Sequence, residues 1–415
     1  MSRASQINGE TQEITTTSAE QSRPRAAALA MFGLLLLCYV LMASDRYLVS
    51  ILAPDIRKVF GFSLPQMGAL TTLFTLGIGI AGIPGGLLIA RYSRRGVLLA
   101  GILLFSGATL LFTVASGFFS MLVFIVMQGI GMSFLATSMF SLAASYYASN
   151  RVAAVGLVNV CFGLGSFIGP WTIGNLRTSS GSWQMPMYAF GIFGIGLAVI
   201  AALAVRPWFS ETKHAAHHNV GTGGADSLIN RNTMILTALS VIYGLAAYGF
   251  LGLYPTFLRE FLHFTAAEAG AMLRFFGIGS LLAFFGGILG DRLSPRSVII
   301  GSSLGVVALG FFLYLPDLSM LSREILVCLY GIFGASILYT NLAGAHIKSL
   351  RRSLSSRGSS MFVTTLYAGA AFGGFLMGNL VKHFGWVQAG EIQISVLTLL
   401  GALLAFGLRE NKMSK

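Results

Sequence analysis

Charge is what this sequence has least of. Asp, Glu, Lys and Arg make up 10% of its 415 residues, against about a quarter in an ordinary soluble domain, and mean hydropathy is +0.77. A composition this poor in charge argues against a soluble globule and for a chain that lives in lipid. Cysteine is nearly absent: Cys38, Cys161 and Cys328 are the only three, each inside an apolar stretch. That argues against a disulfide framework and a metal cluster, and predicts buried packing residues. Short alternating strands are missing, which argues against a barrel. No GxxxxGK[ST] phosphate loop occurs, and no nucleophile, base and orienting group fall into a set, so neither an ATP-driven machine nor an enzyme is expected, and no cofactor.

Long apolar runs are what the chain does have. Twelve stretches of roughly 20 residues, enough for a helix to cross about 30 Å of hydrocarbon, lie at about 27–52, 66–89, 96–115, 118–143, 152–175, 186–205, 232–257, 268–290, 297–315, 323–347, 359–381 and 390–408. The sequence therefore reads as an all-α polytopic membrane protein with twelve transmembrane helices. Residues 1–26 are polar and read as a disordered tail, 206–231 (RPWFSETKHAAHHNVGTGGADSLINR) as a flexible linker, and 409–415 as a short C-terminal tail. His214, His217 and His218 in the linker have nothing around them to orient a ring for a metal and read as solvated.

The formal charge of +13 is distributed unevenly. With the N-terminus in the cytoplasm, 19 of the 27 Lys and Arg fall on the cytoplasmic side, whereas Arg57, Lys58, Arg177, Arg259, Arg323 and Lys382 fall opposite. That bias predicts both termini cytoplasmic in a bacterial-type inner membrane. Basic tracts such as KSLRR (348–352) then report topology, and a nucleic-acid partner is not expected.

The linker splits the chain into halves, 27–205 and 232–408, that resemble each other. LGSFIGPWTIGNL (164–176) aligns with AGAAFGGFLMGNL (368–380) at an offset of 204, pairing Gly165 with Gly369, Gly169 with Gly373 and Gly174 with Gly378. GGLLIARYSRR (85–95) aligns with GGILGDRLSPR (286–296) at an offset of 201. Two six-helix pseudo-repeats around a central cavity follow. Small residues at four-residue spacing let helices approach closely, as bundle packing and relative movement both require.

Inside the first run stand Asp45 and Arg46, in LMASDRYLVS. A charge at the centre of a spanning helix costs about 2.5–3.5 kcal/mol, so such residues turn to a protein interior or a wet cavity. Consecutive helical residues lie about 100° apart, so the two cannot share one direction. An arginine fork matches a carboxylate with two parallel hydrogen bonds; an ion pair that locks α-helices together is the alternative. Arg274, in AGAMLRFFGIGS (269–280), is the other basic residue well inside a run. Counting helical rise, it lies at a depth similar to that of Arg46, so both can converge on one anion, unless Arg274 snorkels outward or pairs with Glu268.

These features resemble the major facilitator superfamily over most of the chain. Its loop signature after the second span appears as Gly86, Arg91, Arg94 and Arg95, with Ala90 where the family has Asp, and more fully as Gly287, Asp291, Arg292 and Arg296. The resemblance implies that this loop latches one state. The fifth-span pattern associated with antiporters matches Gly156, Gly165, Gly169, Pro170 and Gly174. SDRYLVSILAPDI (44–56) is similar to the first-span signature of organic-anion and sugar-acid symporters and of the spinster-like group.

The symporter resemblance implies that Arg46 receives a substrate carboxylate and Asp45 takes part in proton coupling. It also implies a pocket completed by Arg274, Tyr39, Gln128, Tyr248, Asn341 and Tyr367. The latch and the glycine lines through Gly165, Gly169 and Pro170, and through Gly369 and Gly373, would carry the conformational change. The expectation is a monomeric secondary transporter of small organic anions, moving protons with them and contacting lipid. Proton-coupled efflux of amphipathic compounds and spinster-like lipid transport are the alternatives.

Overall fold

The computed structural model describes residues 25–146, 151–211, 224–351 and 354–413; the expected tail at 1–26 thus lies almost wholly outside the described residues, with 212–223 of the linker. Eleven helices are long and apolar enough to cross a membrane. Ten are α1 (Ala26–Phe60), α2 (Leu64–Gly82), α3 (Arg94–Val114), α4 (Phe118–Ala143), α5 (Gly156–Ser180), α6 (Gln184–Ala204), α7 (Arg231–Phe261), α8 (Ala266–Gly290), α9 (Pro295–Leu313) and α10 (Met320–Lys348). The eleventh, Arg357–Ala405, is interrupted at Gly385, whose φ of 81° is left-handed. Glycine adopts that conformation without steric cost, and it divides the stretch into α11 (357–384) and α12 (386–405). The described residues thus hold twelve helical stretches of spanning length.

Polar side chains start these helices. Ser63 and Gln66 form a reciprocal cap on α2, as Thr265 and Glu268 do on α8, while Ser93 caps α3 and Ser294 caps α9. Each cap satisfies backbone N–H groups that the first turn leaves without partners. The equivalent positions in the two halves confirm the repeat at the level of single caps. A second repeated device closes the other end: Glu211, just after α6, accepts from the backbone N–H groups of Arg94 and Arg95, and Glu410, after α12, accepts from that of Arg296. Carboxylates there complement the positive end of the helix dipole.

Helix α1 is not continuous. Its first part ends at Asp45 and its second begins at Leu48, with a tight turn in which the Tyr47 N–H bonds the Ser44 carbonyl at 3.1 Å. Helix α10 opens to the wider π geometry over Gly331–Leu338, immediately before Tyr339 and Asn341. Such irregularities shift the register of the residues that follow.

Within each half the small residues bring backbones together. A methyl at Gly165 or Gly169 of α5 would lie 2.5 Å from the Val40 carbonyl oxygen or 2.6 Å from Ser44 Cα of α1. At Gly369 and Gly373 of α11 it would lie 2.3 Å from the Val241 oxygen and 2.8 Å from the Gly249 nitrogen of α7. The contacts between halves use other positions: Gly68 of α2 against Gly374 of α11, Gly174 of α5 against Ala266 of α8, and Gly270 of α8 against Pro170.

The ends of α6 and α12 lie at the face where α1 and α7 begin, here called the terminal face: Arg206 reaches Met31, and Asn232 pairs with Arg409. Hydrogen bonds joining the halves run from mid-depth to the opposite, far face. Arg46 meets Tyr248, Ser50 donates to the Leu251 and Gly252 carbonyls, Thr72 donates to the Ala371 carbonyl, and Arg57 pairs with Glu260. Toward the terminal face, a methyl at Gly82, Gly86 or Gly156 would meet nothing within 4 Å, and Leu157, Val160, Phe284 and Phe285 are exposed. Among the described residues, these hydrogen bonds between the halves all lie away from that side.

Candidate functional site

The turn in α1 sends its two charged residues apart. Asp45 is 2% exposed and faces the interior of the first half. Its carboxylate accepts from Thr109 Oγ1 of α3 at 3.1 and 3.2 Å and from Gln128 Nε2 of α4 at 2.6 Å. Gln128 also donates to Thr109 Oγ1 at 3.0 Å. These three side chains form a dry, hydrogen-bonded cluster linking α1, α3 and α4. Gln128 thus serves Asp45, not the space between the halves.

Arg46 turns the other way, toward the second half. Its Nη2 donates to Tyr248 Oη at 2.9 Å, and its guanidinium carbon lies 5.1 Å from the ring centroids of both Phe74 and Phe162. A guanidinium between two aromatic faces gains cation–π attraction and is fixed in orientation. No carboxylate among the described residues pairs with it. The charge is held by rings and by the phenols of Tyr248 and Tyr367, with no acidic group among the described residues to neutralise it.

Tyrosines surround it. Tyr367 of α11 meets Tyr248 edge to face at 6.2 Å, Tyr39 of α1 meets Phe140 at 6.0 Å, and Tyr243 and Tyr339 stand 6.1 Å apart. Tyr339, in the middle of α10, is 38% exposed. Tyr39, Tyr248 and Tyr367 are accordingly grouped about Arg46. Asn341 is not: it is 7% exposed, and its Nδ2 donates to the Gly286 and Ile337 carbonyls, tying α10 to α8.

Arg274 lies on the stripe of α8 that includes Gly270 and Gly277, the residues that touch α5 at Pro170 and Phe167. It is half-buried, its guanidinium carbon is 5.2 Å from the neighbouring Phe275 ring, and no hydrogen bond or ion pair among the described residues engages it. Glu268, the partner that sequence offered, is occupied in the α8 cap with Thr265. The structure records no contact between Arg274 and Arg46.

Of the loop residues, Arg94 donates to the Ser210 carbonyl and Arg95 to the Ala202 carbonyl, binding the start of α3 to the end of α6. Arg91 and Arg292 are exposed, with Arg91 over Tyr92. Gly86 and Gly287 have no close neighbour, the nearest to Gly287 being Thr340 at 3.7 Å. The side chain of Asp291 lies outside the described residues. Among the described residues no group of His, Cys, Asp and Glu is placed to hold a metal, and Glu211 is engaged with helix α3.

Two six-helix halves and a charged, broken first helix are joined by a direct sequence match: residues 35–374 fit the Major Facilitator Superfamily. The chain belongs to that superfamily. It is a multi-pass membrane transporter, not an enzyme. Among superfamily relatives, the MFS-type transporter YceJ of Bacillus subtilis is 23% identical over 86% of this chain and 92% of its own length. The hexuronate transporter of the same organism is 27% identical over 54% of this chain and 55% of its own. A bacterial homologue of the human lysosomal transporter Spinster, in an inward-facing, unoccupied conformation, superposes with a TM-score of 0.75 at 17% identity, covering 92% and 97% of the two chains. That likeness establishes the fold.

As a superfamily transporter, the chain carries residues around Arg46 and its tyrosines that sequence reading passed over: Phe74, Phe162, Tyr243 and Tyr339. Aromatic residues in an apolar run look like filler. The usable signal was distributional, since tyrosines with a hydroxyl to satisfy recur at mid-depth in α1, α7, α10 and α11.

Proposed function

We propose that this chain is a secondary transporter of small organic anions, coupled to protons, working by alternating access as a monomer in a bacterial-type inner membrane with its terminal face in the cytoplasm. The carrying observation is the Arg46 guanidinium, set against Phe74 and Phe162 at the junction of the halves, with no carboxylate among the described residues to neutralise it. Held in place by rings, the fork loses little freedom when a carboxylate docks. The hexuronate transporter among the relatives carries a sugar acid and supports this class of cargo. Arg274, which no hydrogen bond or ion pair among the described residues engages, stands on the opposing half and supplies a second charge for a dianion as the halves move.

Asp45 is the proton carrier in this reading. Ionised, it accepts from both Thr109 and Gln128; protonated, it must find an acceptor, and the cluster rearranges. Because Asp45 and Arg46 flank the same turn in α1, that rearrangement shifts the fork. Reciprocity then requires acid to strengthen substrate binding wherever the two bind together. Uptake of labelled organic acids into proteoliposomes, with and without an imposed pH gradient, tests the assignment. Accumulation of a carboxylate only with the gradient supports it, and accumulation of none with a gradient of either sign removes it.

A lipid or other amphipathic cargo is the second reading. It draws on the exposed apolar residues Leu157 and Val160 of α5 and Phe284 and Phe285 of α8, which offer apolar surface to a lipid-like cargo.

A further inference from the structure

Where α1, α5 and α7 reach the far face, four basic side chains and two carboxylates meet. Asp55 accepts from Arg177 Nη2 of its own half at 2.7 Å and from Arg259 Nη1 of the other half at 2.5 Å. Arg57 pairs with Glu260 across the halves and also donates from Nε to the Phe62 carbonyl at 3.0 Å. Arg259 further bonds the Ile51 carbonyl at 2.9 Å. Beside these pairs lies a cavity of about 590 Å³ lined by Asp55, Arg57, Lys58, Arg259 and Glu260.

The ion pairing does not balance. Arg57, Lys58, Arg177 and Arg259 carry four positive charges against two on Asp55 and Glu260, a surplus of two. Lys58 is exposed and engages no carboxylate among the described residues. The Nε donors of Arg177 and Arg259 are buried with no partner at all. Donors therefore outnumber acceptors in a concave, partly dry site, where a positive potential is focused and an added oxyanion gains charge-assisted hydrogen bonds.

We propose that this cavity is a second anion-binding site, a vestibule in which a small carboxylate docks before it reaches Arg46. The proposal rests on the reading of the cargo as an organic anion. The vestibule holds both ion pairs that tie α1 to α7, Arg57 to Glu260 and Arg259 to Asp55. A docked carboxylate competes with Glu260 and Asp55 for the same two guanidinium groups. Docking thus loosens the far-face closure, and the anion that waits at this face helps to open it.

The test is equilibrium dialysis of labelled glucuronate against the full-length Arg46→Ala protein, in which the central anchor is gone. Residual binding is expected that weakens at least about tenfold on adding Arg57→Gln with Lys58→Gln, and weakens again as salt rises past the point where the Debye length falls to about 8 Å. Adding Asp55→Asn with Glu260→Gln instead should strengthen it, because the competing carboxylates are removed. No binding, or binding indifferent to Arg57 and Lys58, overturns the proposal. Arg57 and Lys58 are partly exposed, so their variant decides the matter even if the carboxylate variant fails to fold. Labelled sulfate reads the vestibule independently of cargo. Sulfate binding that needs Arg57 and Lys58, beside wild-type glucuronate binding that ignores Arg46, would sink the cargo assignment and leave the vestibule standing.

Discussion

At the scale of single residues, the site is a division of labour between neighbours. Asp45 holds the first half together through Thr109 and Gln128, while Arg46 presents its charge to the second half between two phenyl rings. Thr109→Val removes one hydrogen bond from a buried carboxylate and should lower stability by about 1–3 kcal/mol, read as a fall in the thermal midpoint of the purified protein. An unchanged midpoint would mean that Asp45 does not depend on the bond. Tyr248→Phe removes the phenol that orients Arg46; carboxylate binding should weaken roughly three- to tenfold, the worth of one hydrogen bond, with folding unaffected. The pair Asp45 and Arg46 was conspicuous in sequence because charge in an apolar run needs a reason. What polarity alone does not specify is the partner: Gln128 and Asn341 read as pocket residues, yet one bonds Asp45 and the other a backbone carbonyl of α8.

At the scale of helices, glycine positions divide into two classes with different expected effects. Gly169 and Gly373 bring α5 onto α1 and α11 onto α7 inside single halves. Alanine at Gly169, where the nearest atom is Ser44 Cα at 2.6 Å, displaces backbone and should lower stability without favouring either face. Gly174 instead meets Ala266 of the opposite half, with a 2.3 Å clash against the carbonyl oxygen for any added Cβ. Gly174→Ala should therefore weaken the far-face closure and raise thiol labelling of a cysteine introduced beside it at Thr178. Equal labelling with and without the substitution would show that the seam does not separate there. Span positions were legible because hydrophobic length is a strong signal, and the repeat offset brought out Gly174 with Gly378. The break at Arg46–Tyr47 was not legible, since no proline or glycine stands there; the π turn of α10 begins at Gly331, but glycine is too common in these spans to mark it.

For the whole molecule, closure at one face follows from where the cross-half bonds lie. The bias of Lys and Arg toward the terminal face carries the proposed orientation, and one of the six residues counted on the opposite side behaves differently from a loop charge. Arg323 is 1% exposed, bonds the Leu313, Leu315 and Pro316 carbonyls and sits over Phe257, so it closes the α9–α10 connection from within. Its replacement by Ala should destabilise the second half more than any exposed arginine variant would, because it leaves three carbonyls and an aromatic face without their cation.

The central claim is that a carboxylate is held by the arginine fork, not by charge alone. Equilibrium binding of labelled monocarboxylates to wild type, Arg46→Lys and Arg46→Ala in detergent tests it most directly. Lysine keeps the charge but lacks the planar fork and the ring-stacked placement. The account predicts that Arg46→Ala loses the central site and keeps only the weaker, salt-sensitive binding of the far-face vestibule, and that Arg46→Lys weakens binding roughly ten- to a hundredfold, the worth of one charge-assisted hydrogen bond, with both variants folded. Wild-type affinity in the lysine protein would contradict it.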